Sequence, residues 1–171
     1  MLESLLRDEI IDHLKCNNLF SAKQYGFVPG RSTSLQLLNM LDMITDVIDS
    51  NDQVDVIYMD FMKAFDQVPH LRLINKVKCH GIDGCILNWV QSFLLGRSQQ
   101  VIVNGCASSW APVTSGIPQG SVLGPILFVL YVNDLPDCIP SDTYLSADTK
   151  ILRKIACDND SSQRQDDLNK L

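Results

Sequence analysis

The six cysteines include no CxxC pair: Cys16, Cys79, Cys85, Cys106, Cys138 and Cys157 are scattered, as are the three histidines His13, His70 and His80. That spacing lacks the paired ligands of a zinc site, so the cysteines read as small apolar side chains or surface thiols rather than a disulfide framework. Positive charge is scarce too. Lys and Arg number 14 against 20 Asp and Glu, for a formal net charge of −6. Tight binding of a polyanion draws on cations that neutralise phosphates, so this balance excludes a charge-driven, autonomous nucleic-acid binder and leaves room only for a local site or for help from other segments. Long apolar runs are missing as well: the longest, Val122 to Val132, is broken by Gly124 and Pro125 and falls well short of the ~18 residues of a membrane span. No membrane partner is expected. The opening MLESLLRDEIIDHL has an early acid and no apolar run of signal-peptide length, which predicts an intracellular address, cytoplasmic or nuclear. No Pro- or Ser-rich linker and no internal repeat divides the chain.

What is present is a globular composition, 46% hydrophobic and 20% charged over 171 residues, enough for one compact core. Leu2, Leu5, Leu6, Ile10 and His13 recur at helical spacing and predict an amphipathic helix over residues 2 to 15, ended by Asn17 and Asn18. QYGFVPGRST, Gln24 to Thr33, reads as an ordered loop, and SLQLLNMLDMITDVIDS then regains helical period with Ser32 or Thr33 as its cap. VDVIYMDF, Val54 to Phe61, is β-branched and aromatic and predicts a buried strand. LRLINKVKCHG and GCILNWVQSFLLG each predict a helix closed by glycine. RSQQVIVNG and the Trp110 to Thr114 segment predict a short hairpin, SGIPQGSVLGP a loop, and ILFVLYVNDL a buried helix. Strands follow at Thr143 to Leu145 and Lys150 to Ile155. The last residues, DNDSSQRQDDLNKL, read as the start of a helix cut off by the terminus.

Three polar islands interrupt these apolar elements. Asp60 stands where a buried strand emerges, a costly place for a carboxylate unless a donor or a cation meets it, and a hard divalent cation is the most productive partner. A helix-capping Asp is the other reading of that segment. Gly116-Ile117-Pro118-Gln119-Gly120-Ser121 sets two flexible glycines around a glutamine before a buried helix, so backbone there can approach a ligand closely; a plain turn into the helix is the alternative. Ala147-Asp148-Thr149, between two short strands, presents an acid at a hairpin tip, where an ordinary β-turn Asp is the alternative.

Taken in order, YMDFMKAFDQVPH, RSQQVIVNG, SGIPQGSVLGPILFVLYVNDLP and SADTK, with QYGFVPGRST upstream, resemble the reverse transcriptase domain of non-LTR retrotransposons of the LINE, jockey-like type over essentially the whole chain. The resemblance implies an α+β fold: a right-hand polymerase palm with part of the fingers, an antiparallel sheet backed by helices, and no thumb. It divides the chain into fingers-side helices over residues 1–53, palm over 54–157 and the start of a truncated helix over 158–171. By the same resemblance Asp60 and Asp148 are the catalytic, metal-binding acids, holding two Mg²⁺ ions or Mn²⁺ in their place. Phe61, Phe65, Gln119 and Gly120 bind the nucleotide, Phe65 lying under the incoming sugar, while Gly26, Gly30 and Arg31 form a fingers element near the template. The partners implied are an RNA template, a DNA primer and dNTPs. Endonuclease and thumb regions of a longer polyprotein are implied outside the chain, with a basic triphosphate-gripping segment before Met1.

The match departs from the family pattern at three places, the hairpin above all. The family hairpin reads aromatic residue, Ala, Asp, Asp, Thr, Lys, whereas this chain reads Ser146, Ala147, Asp148, Thr149, Lys150. A one-residue deletion, with Ser146 in the aromatic position, keeps Ala147, Thr149 and Lys150 in register. Val28 stands where the family usually has a base and Met62 where it usually has Ser. The expectation is therefore an RNA-directed DNA polymerase domain impaired in this copy; the alternative is a non-catalytic remnant that binds RNA or protein, or that has no function.

Overall fold

The computed structural model describes residues 2–138, 141–145, 149–155, 165–166 and 169. Along the chain run α1 (Leu2–Cys16), α2 (Thr33–Asp49), β1 (Gln53–Met59), α3 (His70–Cys79), α4 (Gly84–Leu94), β2 (Ser98–Gln99), β3 (Ile102–Val103), β4 (Cys106–Ala107), β5 (Ala111–Pro112), α5 (Gly124–Val132), a 3₁₀ turn (Leu135–Cys138), β6 (Asp142–Leu145) and β7 (Thr149–Ile155). The chain is a mixture of helices and antiparallel sheet that divides into two units: Met1–Leu19 with Lys63–Tyr131, and Phe20–Met62 with Val132–Leu171. The helix expected over residues 158–171 lies largely outside the described residues.

In the first unit, α1 closes where Asn17 N donates to His13 O and Asn18 takes a left-handed φ of 53°. The chain leaves α3 and α4 through Gly81 and Gly96, at φ 78° and 69°, a region that glycine enters without a Cβ penalty. Between β3 and β4, Asn104 and Gly105 are both left-handed, as a two-residue hairpin turn requires. β2 pairs with β5 further down the same antiparallel ribbon. Ile10, Leu14, Leu73, Val77, Val90 and Leu94 are buried, and α5 is apolar on every side, with Ile126, Leu127, Phe128, Val129 and Leu130 all buried. Such a helix has no face suited to water.

In the second unit, Ser32 is the cap of α2, its hydroxyl accepting from Leu35 N at 3.1 Å. The sheet has the order β1-β7-β6 and is antiparallel throughout, with Met59 opposite Thr149 on one side of β7 and Leu145 opposite Thr149 on the other. Among the described residues β1 is therefore an edge strand, with a neighbouring strand on one side only. This corrects the expectation of a buried strand there: its central residues are half-buried and Tyr58 is 63% exposed. The strand also stops at Met59, so Asp60 and Phe61 lie beyond it.

Two buried polar atoms at the start of β7 lack a hydrogen-bond partner among the described residues, Thr149 Oγ1 and Gln36 Nε2; the amide oxygen of Gln36 accepts from Lys150 Nζ at 3.0 Å. An unsatisfied buried hydroxyl costs its full desolvation. Thr149→Val keeps the branched shape and removes that cost, so it is expected to stabilise the fold by ~1 kcal/mol. Thermal unfolding followed by circular dichroism checks this, and a lowered midpoint would mean that the hydroxyl is satisfied after all.

Candidate active site

Asp60 follows directly on β1, whose ladder ends with Met59 paired to Thr149. No helix begins after it until His70, and the cap of that helix is Pro69, so the helix-capping reading of Asp60 is overturned. Its carboxylate is exposed and has no hydrogen-bond or ion-pair partner among the described residues. An uncommitted hard oxygen donor at a strand end fits a divalent cation, which takes oxygen ligands. Asp148 lies outside the described residues, together with Ser146 and Ala147, and among the described residues no three His, Cys, Asp or Glu side chains gather to hold a metal.

The loop Ser115 to Ser121 is built against the segment Phe65 to His70, both within the first unit. Gly116 N donates to Val68 O at 2.8 Å and Ile117 N to Phe65 O at 2.9 Å, and an isolated antiparallel bridge joins Pro69 to Ser115. Ser115 Oγ donates to Asp66 O at 2.9 Å. The carbonyl of Gly116 accepts twice, from Nε2 of the buried His70 at 2.8 Å and from Arg97 at 3.1 Å. Gly116 itself has φ 92°, and a Cβ there would stand 2.8 Å from Asp66 O and 2.9 Å from Asp66 Cα. Only glycine allows this approach. At the far end of the loop Ser121 Oγ accepts from Gly124 N at 3.0 Å, and Glu3 of α1 accepts from Val122 N at 3.0 Å, which fixes the passage into α5.

Two predicted nucleotide-binding residues are thereby brought close to one strand-to-helix segment. Phe65 is half-buried and stacks on Phe128, ring centroids 4.6 Å apart and 21° between planes. Gln119 donates its Nε2 to Asp66 Oδ1 at 2.8 Å. Gly120 has φ 81° with open space around its Cβ position, so its requirement is conformational alone. The two segments border an open cleft of about 670 Å³ whose lining includes Lys63, Asp66, Arg97, Gln99, Ser115 and Gln119. Phe61 belongs to the other unit and is 38% exposed.

The residues that the resemblance assigns to the fingers form a network of their own within the second unit. Arg31 donates to the carbonyls of Ser21 and Gln24, and Gln24, fully buried, donates to Gly26 O at 2.8 Å. Arg31 is thus engaged inside its own loop. Gly30 has φ 85° and nothing near its Cβ position. The same loop is tied to the end of β6, since Tyr25 N donates to Leu145 O at 2.7 Å and Leu145 N to Lys23 O at 2.9 Å.

Sequence reasoning missed Asp66, His70 and Arg97. The first two lie in the quoted block YMDFMKAFDQVPH, where polar residues flanking the buried Val68 were a signal that something across the fold must receive them.

Residues 1–153 match the family described as "Reverse transcriptase (RNA-dependent DNA polymerase)". The chain is 32% identical over 136 residues to the probable RNA-directed DNA polymerase from transposon X-element of Drosophila melanogaster, an alignment that covers 80% of this chain and 15% of that protein. It is 30% identical over 137 residues to the RNA-directed DNA polymerase from mobile element jockey of Drosophila funebris, again 80% of this chain and 15% of the relative. A third relative, the probable RNA-directed DNA polymerase from transposon BS of Drosophila melanogaster, is 31% identical over 140 residues, 78% of this chain and 15% of its own length. These relatives carry the same non-LTR resemblance that the motifs show. The chain belongs to the reverse transcriptase (RNA-dependent DNA polymerase) family.

Proposed function

We propose that this chain is the palm of a right-hand polymerase with part of its fingers, built to add dNTPs to the 3′-hydroxyl of a DNA primer on an RNA template, and that the present copy is catalytically impaired. The observation that carries the reading is the sheet register: Met59, the residue before Asp60, pairs with Thr149, the residue after Asp148, so the two acids of the family site adjoin partnered positions of neighbouring antiparallel strands in the sequence. The uncommitted carboxylate of Asp60 supports it. Asp60 and Asp148 would hold two Mg²⁺ ions, or Mn²⁺, which when bound activate the primer hydroxyl and stabilise charge on the α-phosphate and the departing pyrophosphate.

The protein's own residues then supply alignment. Phe65, braced by Phe128, offers a flat apolar surface for a sugar; Gln119 presents an amide at the cleft and Gly120, next to it in the chain, an unencumbered backbone; Gly26, Gly30 and Arg31 shape the template side. The impaired state follows from the single aspartate in Ser146-Ala147-Asp148-Thr149-Lys150 where the family has two. The test is primer extension on an RNA template in Mg²⁺, with the chain as it stands, with an aspartate inserted after Asp148, and with the insertion combined with Asp60→Asn. Incorporation by the inserted form that disappears with Asp60→Asn is the expected result; no incorporation by any form, alongside specific RNA binding, would leave the binding-remnant reading instead.

A further inference from the structure

We propose that Asp66 is a positioning residue: its carboxylate fixes which way the Gln119 amide points and so decides the hydrogen-bonding face that Gln119 offers to an incoming nucleotide. The inference rests on the polymerase reading and deepens it. A carboxylate at neutral pH accepts hydrogen bonds and does not donate, whereas a glutamine amide has a donating and an accepting end that a half-turn interchanges. With Asp66 Oδ1 2.8 Å from Gln119 Nε2, the half-turned amide would set two acceptors against each other. The NH₂ end is therefore held toward Asp66 and the carbonyl end stays available. A free Gln119 would sample both faces and its other rotamers as well, and a nucleotide that needs one arrangement would bind only the matching fraction, about a fifth for a fivefold loss.

Asp66 and Gln119 are both exposed, and what anchors the carboxylate is the main chain that carries it. The Asp66 backbone is pinned from both sides: Asp66 N donates to Lys63 O at 2.9 Å, its carbonyl accepts from Ser115 Oγ, and Gly116 packs directly on its backbone. All of these contacts use main-chain atoms of Asp66. Truncating the side chain leaves them in place, so the orienting role can be removed without dismantling the loop. Asp66 and Gln119 also line the same cleft, together with Lys63 and Arg97.

The experiment has two readouts. On the 171-residue chain, the side-chain ¹⁵NH₂ resonances of Gln119 are followed by NMR in the parent and in Asp66→Ala; a shift on truncation is expected, and unchanged resonances would mean that the contact does not exist and would overturn the proposal. In the form with an aspartate inserted after Asp148, the KM for dNTP and kcat are measured in RNA-templated extension for Asp66→Ala, Asp66→Asn, Gln119→Ala and the double alanine variant. Asp66→Ala is expected to raise KM about fivefold with kcat within about twofold, Asp66→Asn to recover most of the loss through its own carbonyl, and the double variant to be no worse than Gln119→Ala alone. An unchanged KM, or effects that add in full, would overturn the positioning role while the polymerase reading stands. If the resonances shift but the inserted form incorporates no nucleotide, the polymerase reading has failed and the nucleotide role of Asp66 falls with it.

Discussion

An aspartate inserted after Asp148 is expected to raise RNA-templated primer extension about a thousandfold, the equivalent of ~4 kcal/mol of transition-state stabilisation. Phosphoryl transfer asks little covalent chemistry of the protein, so the rate follows the positioning of charge around the reacting phosphate, and each missing ligand is felt directly. Two accounts of the deficit are separable. If Asp148 occupies the first acidic position, the principal ligand is retained and the harm comes from the shortened turn, which reverses the facing of side chains in the strand that follows. If it occupies the second, the principal ligand itself is gone. Inserting alanine at the same point restores length without charge. Recovery with either residue identifies the turn as the cause; recovery with aspartate alone identifies the ligand; equal extension by parent and inserted forms would remove the impaired-copy proposal.

Much of the architecture was legible because it depends on local chemistry. Ser32 caps α2 since its short side chain reaches Leu35 N, and Asn104-Gly105 turns the hairpin since both tolerate positive φ. Ile126 to Leu130 of the apolar run Gly124–Val132 are buried because none of its faces is polar. The burial of β1 was not legible. Whether a β-branched run becomes a central or an edge strand depends on its partners, and here β7, from the far end of the chain, takes the centre. The candidate site divides the same way. Phe65, Gln119 and Gly120 stand out as members of family motifs, yet the bonds that seat them span long separations: 53 positions from Asp66 to Gln119 and 46 from His70 to Gly116. No local pattern encodes such a pairing. Asp66 and His70 look in the sequence like ordinary polar residues between Phe65 and α3, and only the folded chain shows that one carries an amide and the other a carbonyl of the same loop.

Gly116→Ala is expected to be the most damaging conservative change in that loop, destabilising the fold by about 3 kcal/mol. Two penalties combine. At φ 92° an L-residue is strained whatever the space around it, and the added methyl would meet three main-chain atoms of Asp66, at 2.8, 2.9 and 3.1 Å, none of which can rotate away as a side chain can. Relief requires the loop to lift from Asp66, which breaks the Gly116 N to Val68 O bond and withdraws the carbonyl from His70 and Arg97. Gly120→Ala is the matched control. It has a similar φ of 81° and nothing within 4 Å of its Cβ position, so it carries the conformational penalty alone, ~1 kcal/mol. Thermal unfolding of the two variants separates steric from conformational cost: a difference near 2 kcal/mol, about 4–8 °C in midpoint for a chain of this size, is expected. Equal midpoints would show that the loop yields to the methyl freely. In that case the bonds from Val68, His70 and Arg97 do not hold Gln119 in place, and Asp66 alone would have to orient it.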